Sequence, residues 1–389
     1  MEPVTHFLTG ACLGRAGFNR KTAYATLAAV LAAEAADLDI VWGLAGPVRE
    51  IQHHRGITHT FWAVPVVAGA VVGVVWAIDR LRRARDAKRD RQKHAANEDA
   101  RESPAVAPGH RNAAPAAGFH QPIHWGWLYL TACIAALSHL LLDWTNDYGV
   151  RPFFPFNPHW YAGSFVFIAE PVEWALLFLA LFMPWVLGLA DREIGARKPQ
   201  FRGRGWAIFA LSGMFLLGCW RWAEHAAALA MLKNTPITTK PVLRMAAEPY
   251  PVNPFHWHAI VETKDFYRTA EIHTLAGTID SDPLRDTIDK PHDTSAIEAA
   301  KRTLLGRVYL DWGRWAVVRD LGPEPAPGIV PPNLPPPHTW TTVEFSDLRF
   351  AYSILPTLSS TKYPPLTGWV YIVDGHEDAG ESMNGRAQR

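Results

Sequence analysis

The chain has 389 residues, with 38 Lys and Arg against 37 Asp and Glu, and 17 tryptophans. So even a balance argues against a nucleic-acid binder held by phosphate neutralisation, which needs clustered cationic side chains. A mean hydropathy of −0.04 suits a soluble protein only as the average of unlike parts, and the chain divides near residue 235 into an apolar and a polar half.

In chain order, residues 4–14 form a short apolar run, too short to span comfortably. The Met-Glu-Pro start lacks the basic segment of a secretory signal, so cleavage is not expected. Residues 22–44 are a second apolar run, interrupted by Glu34, Asp37 and Asp39. Residues 61–78, 125–142, 165–190 and 206–222 each approach the ~20 residues that cross a bilayer as helix. Residues 1–235 are therefore expected to form an all-α polytopic membrane domain of five to six helices. The 79–124 loop is basic at its start, from Arg80 to Lys93, then Ala/Pro-rich. It reads as a mostly disordered linker with room for a helical extension at its beginning.

Lys and Arg accumulate on the cytoplasmic side of membrane proteins, which puts this loop inside. The second basic cluster, Arg192 to Arg204, then also falls inside, and both termini fall outside. From residue 236 the pattern becomes that of a small extracytoplasmic α+β or β-rich domain. Residues 257–263 and 266–274 alternate around Lys264-Asp265 as a hairpin. Residues 341–352 and 368–373 read as further strands, 295–305 as a helix, and 322–337 as a proline-rich linker. Cys12, Cys133 and Cys219 lie in apolar segments without C-x-x-C spacing, so neither disulfides nor a thiolate zinc site is expected.

Ionisable groups in membrane segments are costly and are functional candidates by default. Here they are His6, Asp37, Asp39, the run His53-His54-Arg55-Gly56-Ile57-Thr58-His59, His139 with Asp143, and Glu170. The topology, assigned from Lys and Arg alone, places all of them toward the outer face. His139 and Asp143, four apart, share a helical face. Asp37 and Asp39 point apart on a continuous helix, so both can serve only if the helix ends there. Gly56 is expected to break the backbone, with Thr58 as N-cap of the next span and His59 opening it. Histidine and carboxylate donors without cysteine suit Zn²⁺ first and Mn²⁺ or Fe next, as one ion or two sharing a carboxylate. Such a centre activates water for hydrolysis, and Arg55 could grip a substrate phosphate. Glu173, Asp147 and His159 read as structural, and Arg221, Glu224 and His225 as a helix leaving the membrane. His256 and His258 share a strand face but have no partner visible in the sequence.

The H-R-G-x-T-H core at 54–59, preceded by Thr5-His6 and Asp37-Leu38-Asp39 and followed by His139-x-x-x-Asp143, resembles the YdjM-like family of bacterial inner-membrane, metal-dependent hydrolases. The likeness covers about residues 1–235. It implies a metal region of His6, Asp37, Asp39, His54, His59, His139 and Asp143. Arg55, Asp39 and Glu170 are then the catalytic candidates, Glu170-Pro171 standing where an aspartate-proline would be sought. The segment from Asn253 to Trp257 looks like the outer domain of extended members. The expected activity is cleavage of a phosphoester or ester in a lipid-like substrate, with the bilayer and no nucleic acid as partner. The alternative is a non-enzymatic metal-binding or ion-conducting membrane protein whose outer domain recruits a partner.

Overall fold

The apolar runs become long helices because a backbone in hydrocarbon must satisfy its own hydrogen bonds. The structure is a computed structural model that describes residues 2–102, 121–193, 203–351 and 363–388. Among the described residues four helices are long and apolar enough to cross a membrane: Ala63–His94, Trp125–Thr145, Pro171–Leu189 and Arg204–Asn234. They belong to α4 (Ala63–Glu102), α5 (Trp125–Thr145), α6 (Pro171–Glu193) and α7 (Arg204–Asn234). Three shorter helices precede them, α1 (Pro3–Ala16), α2 (Ala25–Glu34) and α3 (Pro47–His53).

One expectation changes here. The 22–44 run is not one span: α2 has only 10 residues and passes into a 3₁₀ segment, Ala35–Ala45. Ten helical residues rise about 15 Å, half of the hydrocarbon thickness. The helical extension expected at the start of the 79–124 loop is present, and α4 continues without interruption to Glu102. Residues 103–120, and the Arg197, Lys198 and Arg202 part of the second basic cluster, lie outside the described residues.

Close packing of α1 on α2 depends on small side chains. Ala25, Ala28, Ala29, Ala32 and Ala33 are all buried. A Cβ on Gly10 would lie 2.8 Å from the Ala29 carbonyl oxygen, and one on Gly14 would lie 2.5 Å from the Thr26 Cα. This Gly-x-x-x-Gly approach lets two backbones nearly touch. It sets His6 of α1 beside the segment that follows α2.

The C-terminal half holds two antiparallel sheets. The first contains β1 (Arg244–Pro249), β2 (His256–Glu262), β3 (Phe266–His273) and β4 (Thr278–Asp280), in that order, with β5 (Thr287–Asp289) also on β3. The expected hairpin is β2–β3. Next come α8 (Ser295–Arg302) and α9 (Leu304–Trp312). They split the single helix expected at 295–305, because Thr303 ends one and caps the other through Gly306 N. The second sheet orders β6 (Ala316–Asp320), β7 (Trp340–Asp347), β8 (Gly368–Val373), β9 (Glu377–Met383) and β10 (Arg386–Ala387) by adjacent pairing. The strand expected to reach residue 352 stops at Asp347, whose carboxylate accepts from Arg349 N and turns the chain into a 3₁₀ segment.

The halves share cores. Val48, Ile51, Tyr148 and Trp160 pack with α8, α9 and the second sheet, while Phe165, Val166, Ala228 and Leu232 pack with β1–β3. The helix ends that meet this domain also carry the motif residues.

Candidate metal centre

α5 presents His139 and Asp143 from one face, one turn apart, both fully buried. Their partners come from breaks in helical structure. The chain leaves α2 at Glu34 and enters 3₁₀ geometry, where Asp37 and Asp39 no longer point apart as they would on an α-helix. After α3 the chain turns at Arg55, whose φ is +55°, and a short 3₁₀ turn, Ile57–His59, delivers His59. Thr58 does not cap the following span as the sequence suggests. Thr60 does so, accepting from Ala63 N, and the Thr58 hydroxyl instead donates to Asp39 Oδ2 at 3.0 Å.

Four ligand atoms converge. His59 Nε2 lies 3.0 Å from His139 Nε2, 3.3 Å from Asp37 Oδ1 and 3.3 Å from Asp143 Oδ2. His139 Nε2 lies 3.5 Å from Asp37 Oδ1 and 3.3 Å from Asp143 Oδ2. Ligands about 2.0–2.1 Å from a tetrahedral zinc ion are about 3.3 Å apart, so these contacts match the edges of such a tetrahedron. His6 stacks on His139 at 3.7 Å between centroids, with Nε2 3.4 Å from Asp143 Oδ1.

The surroundings fix which nitrogens face inward. His139 Nδ1 is 2.6 Å from the Ala33 carbonyl, which can only accept, so this nitrogen carries the proton. His59 Nδ1 is 3.3 Å from Asp39 Oδ2 and 3.0 Å from the Thr58 hydroxyl. With Nδ1 as the only protonated nitrogen of each ring, two imidazole lone pairs and two carboxylate oxygens would face one point. A cation satisfies that set, and the residues behind the ligands orient them as such centres require.

Asp39 is occupied differently from Asp37. Its Oδ1 meets His54 Nδ1 at 2.9 Å, and its Oδ2 accepts from Arg55 N at 3.0 Å as well as from Thr58. Asp37, Asp39 and His54 also form a compact donor group that shares Asp37 with the first. Asp39 spends its oxygens on orienting His54 and His59.

Arg55 does not serve as the phosphate grip expected from its place in the motif. It is 2% exposed. Nη2 bonds Asp143 Oδ1 at 2.8 Å, Nη1 bonds the Gly149 carbonyl at 2.8 Å, and the guanidinium lies over Tyr148. Glu170 is likewise drawn away from the centre: Arg221 Nη2 lies 2.5 Å from its Oε2, and Val252 N donates to Oε1 at 3.1 Å. Arg221 is thus a buried partner rather than a mark of helix exit. His53 stands apart, stacked on Trp42.

Sequence reading missed the partner of His256 and His258, which is Glu271 on β3, at 2.9 Å from each. Burial would raise the Glu271 carboxyl, but hydrogen bonds from these two rings bring it down to about 2. Strand register, unknowable from spacing alone, makes this pairing.

Fold and centre together define a membrane protein with a buried histidine–aspartate cluster at one end of its helices. The chain belongs to the YdjM inner membrane protein family, whose model matches residues 1–228. No curated protein and no solved structure matches it.

Proposed function

We propose that the chain is a membrane-bound, metal-dependent hydrolase whose ion is held by Asp37, His59, His139 and Asp143. The observation that carries this reading is the set of four inward-facing donor atoms, one each from Asp37, His59, His139 and Asp143, gathered within 4.8 Å of one another. Donors of nitrogen and oxygen without sulfur suit Zn²⁺, then Mn²⁺ or Fe. The commitment of both Asp39 oxygens favours one ion over two. A divalent ion bound there would supply Lewis acidity, and a water taken on as a fifth ligand beside the four protein donors would be acidic enough to act as nucleophile near neutral pH.

The protein's own groups divide the remaining work. Arg55 locks Asp143 through Oδ1 and leaves Oδ2 facing the centre. Asp39 fixes His59 and His54. His54 is the most open histidine of the set, its side chain 27% exposed. It borders a cavity of about 170 Å³ with Tyr148, Met383 and Arg386. With Nδ1 directed at Asp39, its Nε2 can exchange a proton with a substrate, which gives His54 the role of general acid–base. Exposed Leu38, Ile40, Val41, Leu44 and Ile57 surround these residues in the chain. An apolar margin of this kind suits an ester or phosphoester of a lipid-like molecule. Lys and Arg accumulate on the cytoplasmic side of membrane proteins, so the basic extension of α4 supports an orientation with the centre and the C-terminal domain on the outer face.

Elemental analysis of the purified protein, joined to hydrolysis of a panel of lipid phosphoesters and esters, tests the reading. His139→Ala should remove both metal and turnover, and His54→Gln should remove turnover while metal stays. A metal-loaded protein that hydrolyses nothing in the panel but passes Zn²⁺ across vesicles would replace the enzyme with an ion-conducting protein.

A further inference from the structure

At the end of the helices away from the metal centre, cations gather around a cavity. Helix α1 runs from His6, beside the centre, to Ala16, and α5 runs the opposite way, from Trp127 near its start to Asp143. The helical rise from Trp127 to Asp143 is about 24 Å, against the ~30 Å of a hydrocarbon core. The centre and this cavity therefore lie toward opposite boundaries of the membrane. The cavity measures about 490 Å³ and is lined by Phe18, Arg20, Lys21, Trp127 and Arg204, with no carboxylate among the described residues.

Its cations are held in place by the fold. Arg204 opens α7, and its Nε donates to the Ala16 carbonyl at 2.9 Å. Lys21 Nζ stands over the Trp127 ring, 5.4 Å from the centroid. The backbone that carries Arg20 and Lys21 is a 3₁₀ turn, Phe18–Arg20, closed by bonds from Arg20 N to Gly17 O and from Lys21 N to Phe18 O. Thr22 Oγ1 accepts from His124 N at 2.9 Å and ties that turn to the start of α5. Three like charges around one cavity repel one another, and an anion among them removes that cost.

Depth decides which anion. The cavity lies where headgroups meet hydrocarbon, a layer that aromatic rings favour, and Phe18 and Trp127 give it apolar walls. The basic run of α4 begins at the same end, where Arg82 lies over the Tyr24 ring. A soluble anion makes no use of apolar walls, whereas a phospholipid brings phosphate to the cations and its glycerol and first methylenes to the rings. Basic pockets between membrane helices suit anionic headgroups for this reason.

We propose that this cavity binds one anionic phospholipid, its phosphate held by Arg20, Lys21 and Arg204 and its glycerol against Phe18 and Trp127. The site requires only that the helices lie in a membrane and does not depend on the hydrolase reading. Its lipid is a resident ligand remote from the centre rather than a substrate.

The test uses the whole chain in detergent, with phosphatidylglycerol, phosphatidylcholine and inorganic phosphate as probes and native mass spectrometry as readout. The wild type should retain one phosphatidylglycerol under conditions that strip phosphatidylcholine, and inorganic phosphate should not displace it. Lys21→Gln/Arg204→Gln should weaken phosphatidylglycerol binding about thirtyfold, each cation near a membrane surface contributing about fivefold. Arg85→Gln/Arg89→Gln, which removes the same charge from the α4 extension, should leave binding unchanged. Equal retention of the two lipids, displacement by inorganic phosphate, or equal losses in the two double variants overturns the proposal. The comparison of lipids needs no substitution, so it decides the matter even if the Arg204 change unfolds the chain.

Discussion

The two histidine–carboxylate groups are assembled in opposite ways. In the membrane half, Asp37, His59, His139 and Asp143 come from three separate segments of chain, and three of the four are backed by a further group: His139 by Ala33 O, His59 by Asp39 and Asp143 by Arg55. On the sheet, His256, His258, Glu271 and His273 come from two adjacent strands, and a single register places them. The first therefore depends on the packing of the whole bundle, whereas the second needs only one hairpin to form. Damage to packing should reach the membrane centre and spare the sheet.

The strongest way to break the comparison is Asp143→Ala. It removes a ligand and leaves the buried Arg55 guanidinium without its carboxylate, a loss of about 3–5 kcal/mol. The thermal midpoint in detergent should fall steeply, while Arg55→Met/Asp143→Leu, which removes both charges, should recover much of that loss without restoring metal. Next comes Asp39→Asn, which keeps all four ligand atoms but loses the acceptor behind His59. Metal affinity should drop about 10–100-fold, and an unchanged affinity would show that His59 needs no such support.

Packing is probed by Gly14→Val, which drives a side chain into Thr26 of α2 and should cost about 1–3 kcal/mol. Metal at the membrane centre should fall with it, while the β2–β3 hairpin keeps its pairing. The smallest effect concerns pH. Burial, with the Asp147 carboxylate facing it, pushes Glu248 up to about 8. In the unfolded chain this carboxyl ionises near its ordinary value, so the folded state binds one more proton between about pH 4.5 and 8 and loses stability as pH rises through that window. Glu248→Gln should flatten this dependence, raising the midpoint at pH 8 by on the order of a few degrees and leaving it nearly unchanged at pH 4.

Much of the membrane centre was legible in the sequence, because a charge within an apolar run is conspicuous and must have a reason. Roles within the group were not. Asp37 and Asp39 differ only in what approaches them across space, and the engagement of Arg55 with Gly149 O depends on a turn ninety residues away. On the other side of the molecule the β2–β3 hairpin stood out through alternation, while β9 did not. Its sequence, Glu-Asp-Ala-Gly-Glu-Ser-Met, has no apolar rhythm and is a strand because β8 pairs with it along its length. The short run 22–44 misled for the reverse reason: it is apolar enough to span but is broken into a stub of helix and a 3₁₀ stretch that carries the aspartates.

Arg349, from the turn after β7, donates to the Asp147 carbonyl at 2.8 Å while its other nitrogens grip Asp347. The loop it braces is the one whose Gly149 carbonyl anchors Arg55, and Arg55 in turn steadies Asp143. The polar half is thus a keystone for the apolar half, and severing the chain at residue 235 would not release a working membrane core. Such a fragment would keep all its ligands and lose the brace that holds one of them in line.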